Sequence, residues 1–395
     1  MKQREAFLDQ LRAAATCAVV MLHTVTGVMD HTDMGLYPVE KKVFLIVLDL
    51  VCWCVPVFLL ISGYLFLNQD RKLGMRRMIT KYGRRIVLAL FVFGVPYACL
   101  EQIVKERCFR WDMPGKAFWM VLRGESWSHL WYLYLILILY VLTPLLKKIL
   151  TYLPRSVLYG LLAVLFIGSS ILPYVIRVTG QETIPSLPDW GIYGFYYICG
   201  FLFFNGFHRS ALSGAGISED RGRAASWREA VSSDAGIPAD GRADGSGKVQ
   251  SPCFLPENFV RRKALGRICG IAAGLLAAGM VWSRLSGTYH VQMAYNYPFT
   301  AVLALLLFAW AGSGITVPRK EKKVSSVLRR AADLSFTVYL VHPVFLNTAY
   351  KFFLITPLSF PLAVSLPVFF SGTLLLSIVT AWVLCQIPLL RKYVL

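Results

Sequence analysis

The sequence predicts an all-α, polytopic membrane protein: a helical bundle of about ten transmembrane helices with both termini in the cytoplasm. Three observations carry this. Of the 395 residues, 56% are hydrophobic and 16% charged, and mean hydropathy is +0.56; a soluble domain carries charge on roughly a quarter of its residues. Apolar runs close to the ~20 residues that a bilayer crossing needs recur along most of the chain. Lys and Arg are dense in every second connection and sparse in the others, as the positive-inside rule requires.

The first run, 11–29, has no small-residue cleavage site and reads as a span, not a removable signal. Spans follow at 43–67, 84–104, 130–146, 156–176 and 190–207. Segment 208–263 then breaks the pattern. Gly, Ala, Ser and Arg dominate it and apolar periodicity vanishes, so it reads as a disordered cytoplasmic loop inserted between spans six and seven. The last spans are 264–282, 297–315, 334–354 and 363–388. The whole chain, 1–395, reads as one membrane domain. Gly and Pro interrupt several spans, but not at matching positions of two halves, so no transporter-type repeat is visible.

Net charge is +19. In a soluble protein this would suggest nucleic acid, but 31 of the 41 basic residues fall on one set of connections. These are the N-terminal residues through Arg12, the run RKLGMRRMITKYGRR (71–85), Lys147 to Arg155, the long loop through Arg267, the run 318–330, and Arg391 with Lys392. The sparse set holds Lys41, Lys42, five residues within 105–129, Arg177, Arg284 and Lys351. The charge is therefore an orientation signal, and no nucleic-acid partner is expected. The nine cysteines are scattered without a CxxC pair or a Cys/His cluster, which predicts neither a metal site nor a disulfide framework.

The first span, LDQLRAAATCAVVMLHTVTGVM (8–29), places Arg12 near its start and His23 deep inside. Eleven helical residues make three turns plus about 20°, so both side chains share a face, about 16.5 Å apart along the axis. An anion held at the cytoplasmic surface by Arg12 could extend a reactive arm to His23, and acyl-coenzyme A is such a molecule. Arginine suits phosphate through its planar, permanently charged fork. Histidine suits acyl transfer because its unperturbed pKa of about 6.5 lets it take and return a proton. The competing readings are an orientation anchor paired with Asp9 for Arg12, and a neutral histidine bonded to a neighbouring helix for His23; an intramembrane ionisable group favours function.

Two further histidines lie near spans. His342 precedes Pro343 in SFTVYLVHPVFL (335–346), where the proline frees a carbonyl one turn back, so it reads as a structural filler of that gap or as a catalytic group. His129 opens span four between Trp127 and Trp131, which look like an interfacial aromatic belt. It reads as structural there, with contact to an extracytoplasmic acceptor as the sharper alternative. His31, His208 and His290 fall in loops. Ser62-Gly63 reads as a close-packing pair. Asp49 and Glu101 are carboxylates inside or at the edge of spans, either of which could pair with the histidine, and the run 71–85 offers Arg76, Arg77, Arg84 and Arg85 as further phosphate contacts.

Taken in order, LDQLRAAATCAVVMLH, VPVFLLISGYLF, SHLWYLYLILILYVLTPLL, WGIYGFYYICGFLFF and LSFTVYLVHPVF resemble the motifs of the acyltransferase-3 family of integral membrane acyltransferases. The resemblance spans nearly the whole chain outside 208–263. It is nearest to the branch with enterobacterial-common-antigen O-acetyltransferases and the membrane domain of vancomycin-resistance serine racemases. The long Gly/Ala/Arg loop departs from that pattern. The resemblance implies a multi-pass bacterial cytoplasmic-membrane enzyme with no bound cofactor. It would move an acyl group, most often acetyl, from acetyl-CoA or another acyl-CoA to a hydroxyl of an envelope glycan or lipid-linked saccharide. It makes Arg12 and His23 the essential pair, with His129 and His342 in matching motifs. The rival function is export of such a saccharide without acyl transfer.

Overall fold

Helix α1, Ala6–His31, runs through the middle of the molecule. It packs against the helices of spans two, eight, nine and ten, and buries residues around its whole circumference, among them Leu8, Leu11, Ala15, Val19, Val20, Leu22, Val25 and Val28. A helix apolar on every side is stable only with protein or lipid on every side.

The computed structural model describes residues 6–68, 74–181, 185–213, 262–287, 294–313 and 326–395, and no strand occurs among them. After α1 come α2 (Pro38–Phe66, broken at 52–53), α3 (Met75–Glu106), α4 (Met113–Arg123), α5 (Ser128–Tyr152) and α6 (Arg155–Thr179). Then follow α7 (Gly191–Ser213), α8 (Arg262–Leu285), α9 (Pro298–Gly312), α10 (Ser326–Asn347), α11 (Leu362–Leu384) and α12 (Pro388–Tyr393). Each predicted span falls on one of these helices. Seven of them, α1, α2, α3, α5, α6, α8 and α11, are long and apolar enough to cross a membrane. Helix α9 has 15 residues, and α10 begins with a charged stretch containing Arg329, Arg330 and Asp333. The protein is a polytopic helical bundle.

Several local expectations change. The connection 105–129 contains α4, an amphipathic helix that buries Met113, Ala117 and Val121 and packs along α3. Helix α7 extends to Ser213 and α8 starts at Arg262, so both ends of the predicted loop 208–263 are helical, and 214–261 lie outside the described residues. His208 is therefore on α7, not in a loop. His31 ends α1 and its Nδ1 bonds the Gly27 carbonyl at 2.7 Å. His290 lies outside the described residues.

The Ser62-Gly63 motif closes α2 onto α7. A β carbon on Gly63 would stand 1.9 Å from the Tyr197 carbonyl oxygen, and one on Gly200 would stand 2.2 Å from that of Leu60. The two backbones touch, which only small residues permit.

The ends of the bundle differ in how they use cations. At the end the charge pattern assigns to the cytoplasm, Lys147 bonds the Asn68 carbonyl at 2.6 Å and Arg85 Nε bonds the Val394 carbonyl at 3.1 Å. At the other end Arg284 pairs with Asp49, Lys351 with Glu101, Lys42 with the Leu285 carbonyl and Arg177 with the Tyr297 hydroxyl. These cations stand against the charge bias because each holds a specific partner.

Candidate active site

Three helices bring three histidines together. His23 of α1 and His342 of α10 have ring centroids 5.1 Å apart. His129, on the first turn of α5, lies 5.9 Å from His342 and 6.3 Å from His23. Backbone clamps hold the arrangement. The Tyr350 hydroxyl bonds the Thr24 carbonyl at 3.0 Å, one residue after His23. The Tyr339 hydroxyl donates to the His129 carbonyl, and the Tyr97 hydroxyl to the Leu340 carbonyl at 2.8 Å. Each tyrosine thus spends its hydroxyl on fixing a helix that carries a histidine.

The ring nitrogens are not equivalent. His342 Nδ1 lies 3.1 Å from the Val338 carbonyl. A carbonyl only accepts, so Nδ1 carries the proton and Nε2 keeps its lone pair. The ring also faces the Tyr339 carbonyl, the one Pro343 leaves without its helical N–H. His129 faces the Leu340 carbonyl. The Nε2 atoms of both histidines are buried and have no hydrogen-bond partner. His23 lies deep in the protein and keeps partial accessible surface.

Neither carboxylate expected beside the histidines is there. Arg284 takes Asp49, with side chains 2% and 1% exposed, and Lys351 takes Glu101 at 2.7 Å. The reason is competition: each carboxylate meets a cation from a distant helix, which holds it in an ion pair. The aromatic-belt reading of Trp127 and Trp131 also gives way. Trp127 is 8% exposed and stacks on Tyr97 at 4.4 Å. Trp131 packs on Tyr193 and Tyr295 at 5.4 and 5.8 Å. Both face protein.

Arg12 pairs with Asp9 at 3.7 Å, and it acts electrostatically on Tyr140 of α5 together with Arg85. Residues 71–73 of the basic run lie outside the described residues. Arg84 lies over Tyr393 at 5.6 Å and, with Tyr140, lines a crevice of about 270 Å³. Arg76 and Arg77 are exposed on the first turn of α3. Between Arg12 and the histidines runs a series of hydroxyls that sequence reasoning missed. Tyr140 neighbours Tyr132, Tyr132 meets Ser62, and Tyr132 lies 5.9 Å from Tyr339, itself 5.7 Å from His129. Tyr132, Tyr140 and Tyr339 lie deep in the protein and, like Ser62, keep partial accessible surface. Their signal in the sequence is a tyrosine hydroxyl in the middle of an apolar helix, which needs a polar neighbour.

Among the described residues no group of three or more His, Cys, Asp or Glu side chains is placed to hold a metal ion. The arrangement offers Arg12 and Arg85 beside Tyr140 and, deeper in the bundle, a cluster of three imidazoles.

No curated protein and no solved structure matches the chain. The family model described as an acyltransferase domain matches residues 5–385, nearly all of it. The chain belongs to the acyltransferase-3 family and is a membrane acyltransferase.

Proposed function

We propose that this protein is an O-acyltransferase, with acetyl as its group, that draws on cytoplasmic acyl-CoA and esterifies a hydroxyl of an envelope glycan or lipid-linked saccharide in a bacterial cytoplasmic membrane. The observation that carries this is the placement of Arg12 and His23 three turns apart on one face of the central helix, with His129 and His342 gathered beside His23. Arg12 and Arg85 take the coenzyme phosphates, and Arg84 joins them from the crevice. Exposed Arg76 and Arg77 add a general positive field. The thioester arm extends from there to His23.

At His23 the acceptor oxygen attacks the thioester carbonyl while Nε2 or Nδ1 of the imidazole takes the hydroxyl proton. The C–S bond breaks, the proton passes to the leaving thiolate, and the products are an ester and free coenzyme thiol. A covalent variant forms acyl-His23 first and releases the thiol before the acceptor arrives. Only this variant accumulates labelled acyl-enzyme without acceptor.

The test uses purified wild type and His23→Ala in nanodiscs with radiolabelled acetyl-CoA and membrane glycolipid extract. Labelled glycolipid with the wild type and none with a folded His23→Ala supports the reading. A folded wild type that neither binds nor consumes acetyl-CoA, while moving glycolipid between leaflets, replaces it with transport.

A further inference from the structure

The connection between α3 and α5 folds back along the bundle. Gln102 of α3 bonds the Met113 carbonyl at the start of α4 at 3.4 Å. Phe118 stacks on Phe91 at 5.1 Å, and a β carbon on Gly94 would stand 3.0 Å from Val121, near the end of α4. Helix α4 therefore runs antiparallel to α3 and, from Gln102 to Gly94, descends about 12 Å from the end opposite the cytoplasmic one. One side, with Met113, Ala117 and Val121, is buried on protein. The other carries Phe118, Trp119 and Leu122, all exposed, an apolar stripe suited to lipid.

Cations accompany this stripe. Residues 105–123 hold five of them against two acids, Glu106 and Asp112, on the side where the charge bias disfavours them. Lys105 pairs with Glu101, Arg110 with Glu106 and Asp112, and Lys116 with Asp112. Arg123 has neither an ion pair nor a hydrogen bond among the described residues. It lines instead a groove of about 520 Å³, together with Lys116, Gln102, Trp119 and Met120. Lys116 and Arg123 are seven residues apart, two turns less about 20°, so both stand on one face of α4, about 10.5 Å apart along its axis. Arg123 leans back toward Lys116, because helical side chains tilt toward the helix N-terminus. The Lys116–Asp112 pair is exposed on both sides, 53% and 43%. Such a pair is weak, which leaves the ammonium open to a second anion.

We propose that this groove binds the phosphate of an anionic lipid from the outer leaflet. Arg123 takes the phosphate through its planar fork, and Lys116 adds a point charge. Trp119 sits at headgroup level, as interfacial indoles do, and the acyl chains lie along Phe118 and Leu122. The groove has the volume of a small-ligand site, roughly 300–1,000 Å³. Two cations facing one groove select an anion, and the apolar stripe beside them selects an anion that carries hydrocarbon. The groove shares no residue with the histidine cluster, so the site stands whichever group the enzyme transfers.

The experiment titrates full-length protein in detergent micelles with dioleoyl phosphatidylglycerol or dioleoyl phosphatidylcholine and counts retained lipid by native mass spectrometry. Both lipids carry the phosphate and the same chains, so the comparison reads net headgroup charge. The wild type should retain its first phosphatidylglycerol at a concentration about tenfold or more below that needed for phosphatidylcholine, the size of one charge-assisted bond. Arg123→Gln should lose most of that preference, and Arg123→Lys should keep part of it. Arg107→Gln, exposed on the same connection but outside the groove, should match the wild type. Arg123 is exposed, so its variants leave the core intact. Equal retention of the two lipids, an unchanged preference in Arg123→Gln, or an equal loss in Arg107→Gln overturns the site. Displacement of phosphatidylglycerol by excess inorganic phosphate makes it a soluble-anion site and overturns the lipid assignment.

Discussion

Arg284 grips Asp49 through two bonds, Nε to Oδ2 at 2.7 Å and Nη2 to Oδ1 at 3.0 Å, with both side chains buried. The pair ties α8 to α2 across 235 residues of chain. Removing one partner strands the other as a buried charge, at about 3–5 kcal/mol. Arg284→Met should therefore lower the melting temperature in nanodiscs sharply. The double variant Asp49→Leu/Arg284→Met should recover most of the loss. A single variant as stable as the double would mean the charges are solvated and the pair is incidental.

The α2–α7 contact gives a sharper packing test. Gly63→Ala and Gly200→Ala each drive a methyl into a backbone carbonyl, which no rotamer change relieves. Overpacking costs roughly 1–3 kcal/mol where side chains can yield, and here the backbone itself must move. Both variants should show reduced monodisperse yield. Gly194→Ala, on the same helix α7 with nothing within 4 Å of an added β carbon, should behave as wild type. Equal yields for all three would refute the close approach.

The basic residues should separate by position. Arg12→Gln and Arg85→Gln, which share Tyr140, should each raise the KM for acetyl-CoA by about ten- to a hundredfold, the loss of a charge-assisted bond of about 1.5–3 kcal/mol. Arg76→Gln and Arg77→Gln, exposed on the first turn of α3, should change it by less than about threefold, and that change should vanish in high salt. Steady-state kinetics at two ionic strengths distinguishes them. Equal effects at all four positions would remove Arg12 from any specific phosphate site.

Tyr339→Phe tests the clamp on His129. The substitution removes the hydroxyl that donates to the His129 carbonyl and leaves a buried acceptor unpaired, costing about 1–3 kcal/mol. We expect turnover to fall about tenfold or more while acetyl-CoA binding by calorimetry stays unchanged. Unchanged turnover would show that the histidine cluster holds its geometry without this bond.

Much of the fold follows from local rules. Apolar length places the ten helical segments, and the Arg12–His23 relation follows from the 3.6-residue repeat alone, which needs no knowledge of any other helix. Asp9 beside Arg12 is a neighbour one turn away and follows equally. Breaks such as the one at 52–53 in α2 do not follow, because an apolar run reads alike whether or not its helix is continuous.

By itself, then, the sequence determined a membrane bundle, its expected orientation, and one face carrying a cation and an imidazole three turns apart. Only the tertiary structure decided that His129 and His342 join His23, that Asp49 and Glu101 go to Arg284 and Lys351, and that tyrosines line the interior. The physical reason is the solvent. In water an amphipathic stripe marks the buried face of each helix, whereas in lipid the outward face is as apolar as the core and leaves no such mark. Which polar side chains meet is then set by packing between helices distant in sequence, as between His23 on α1 and His342 on α10.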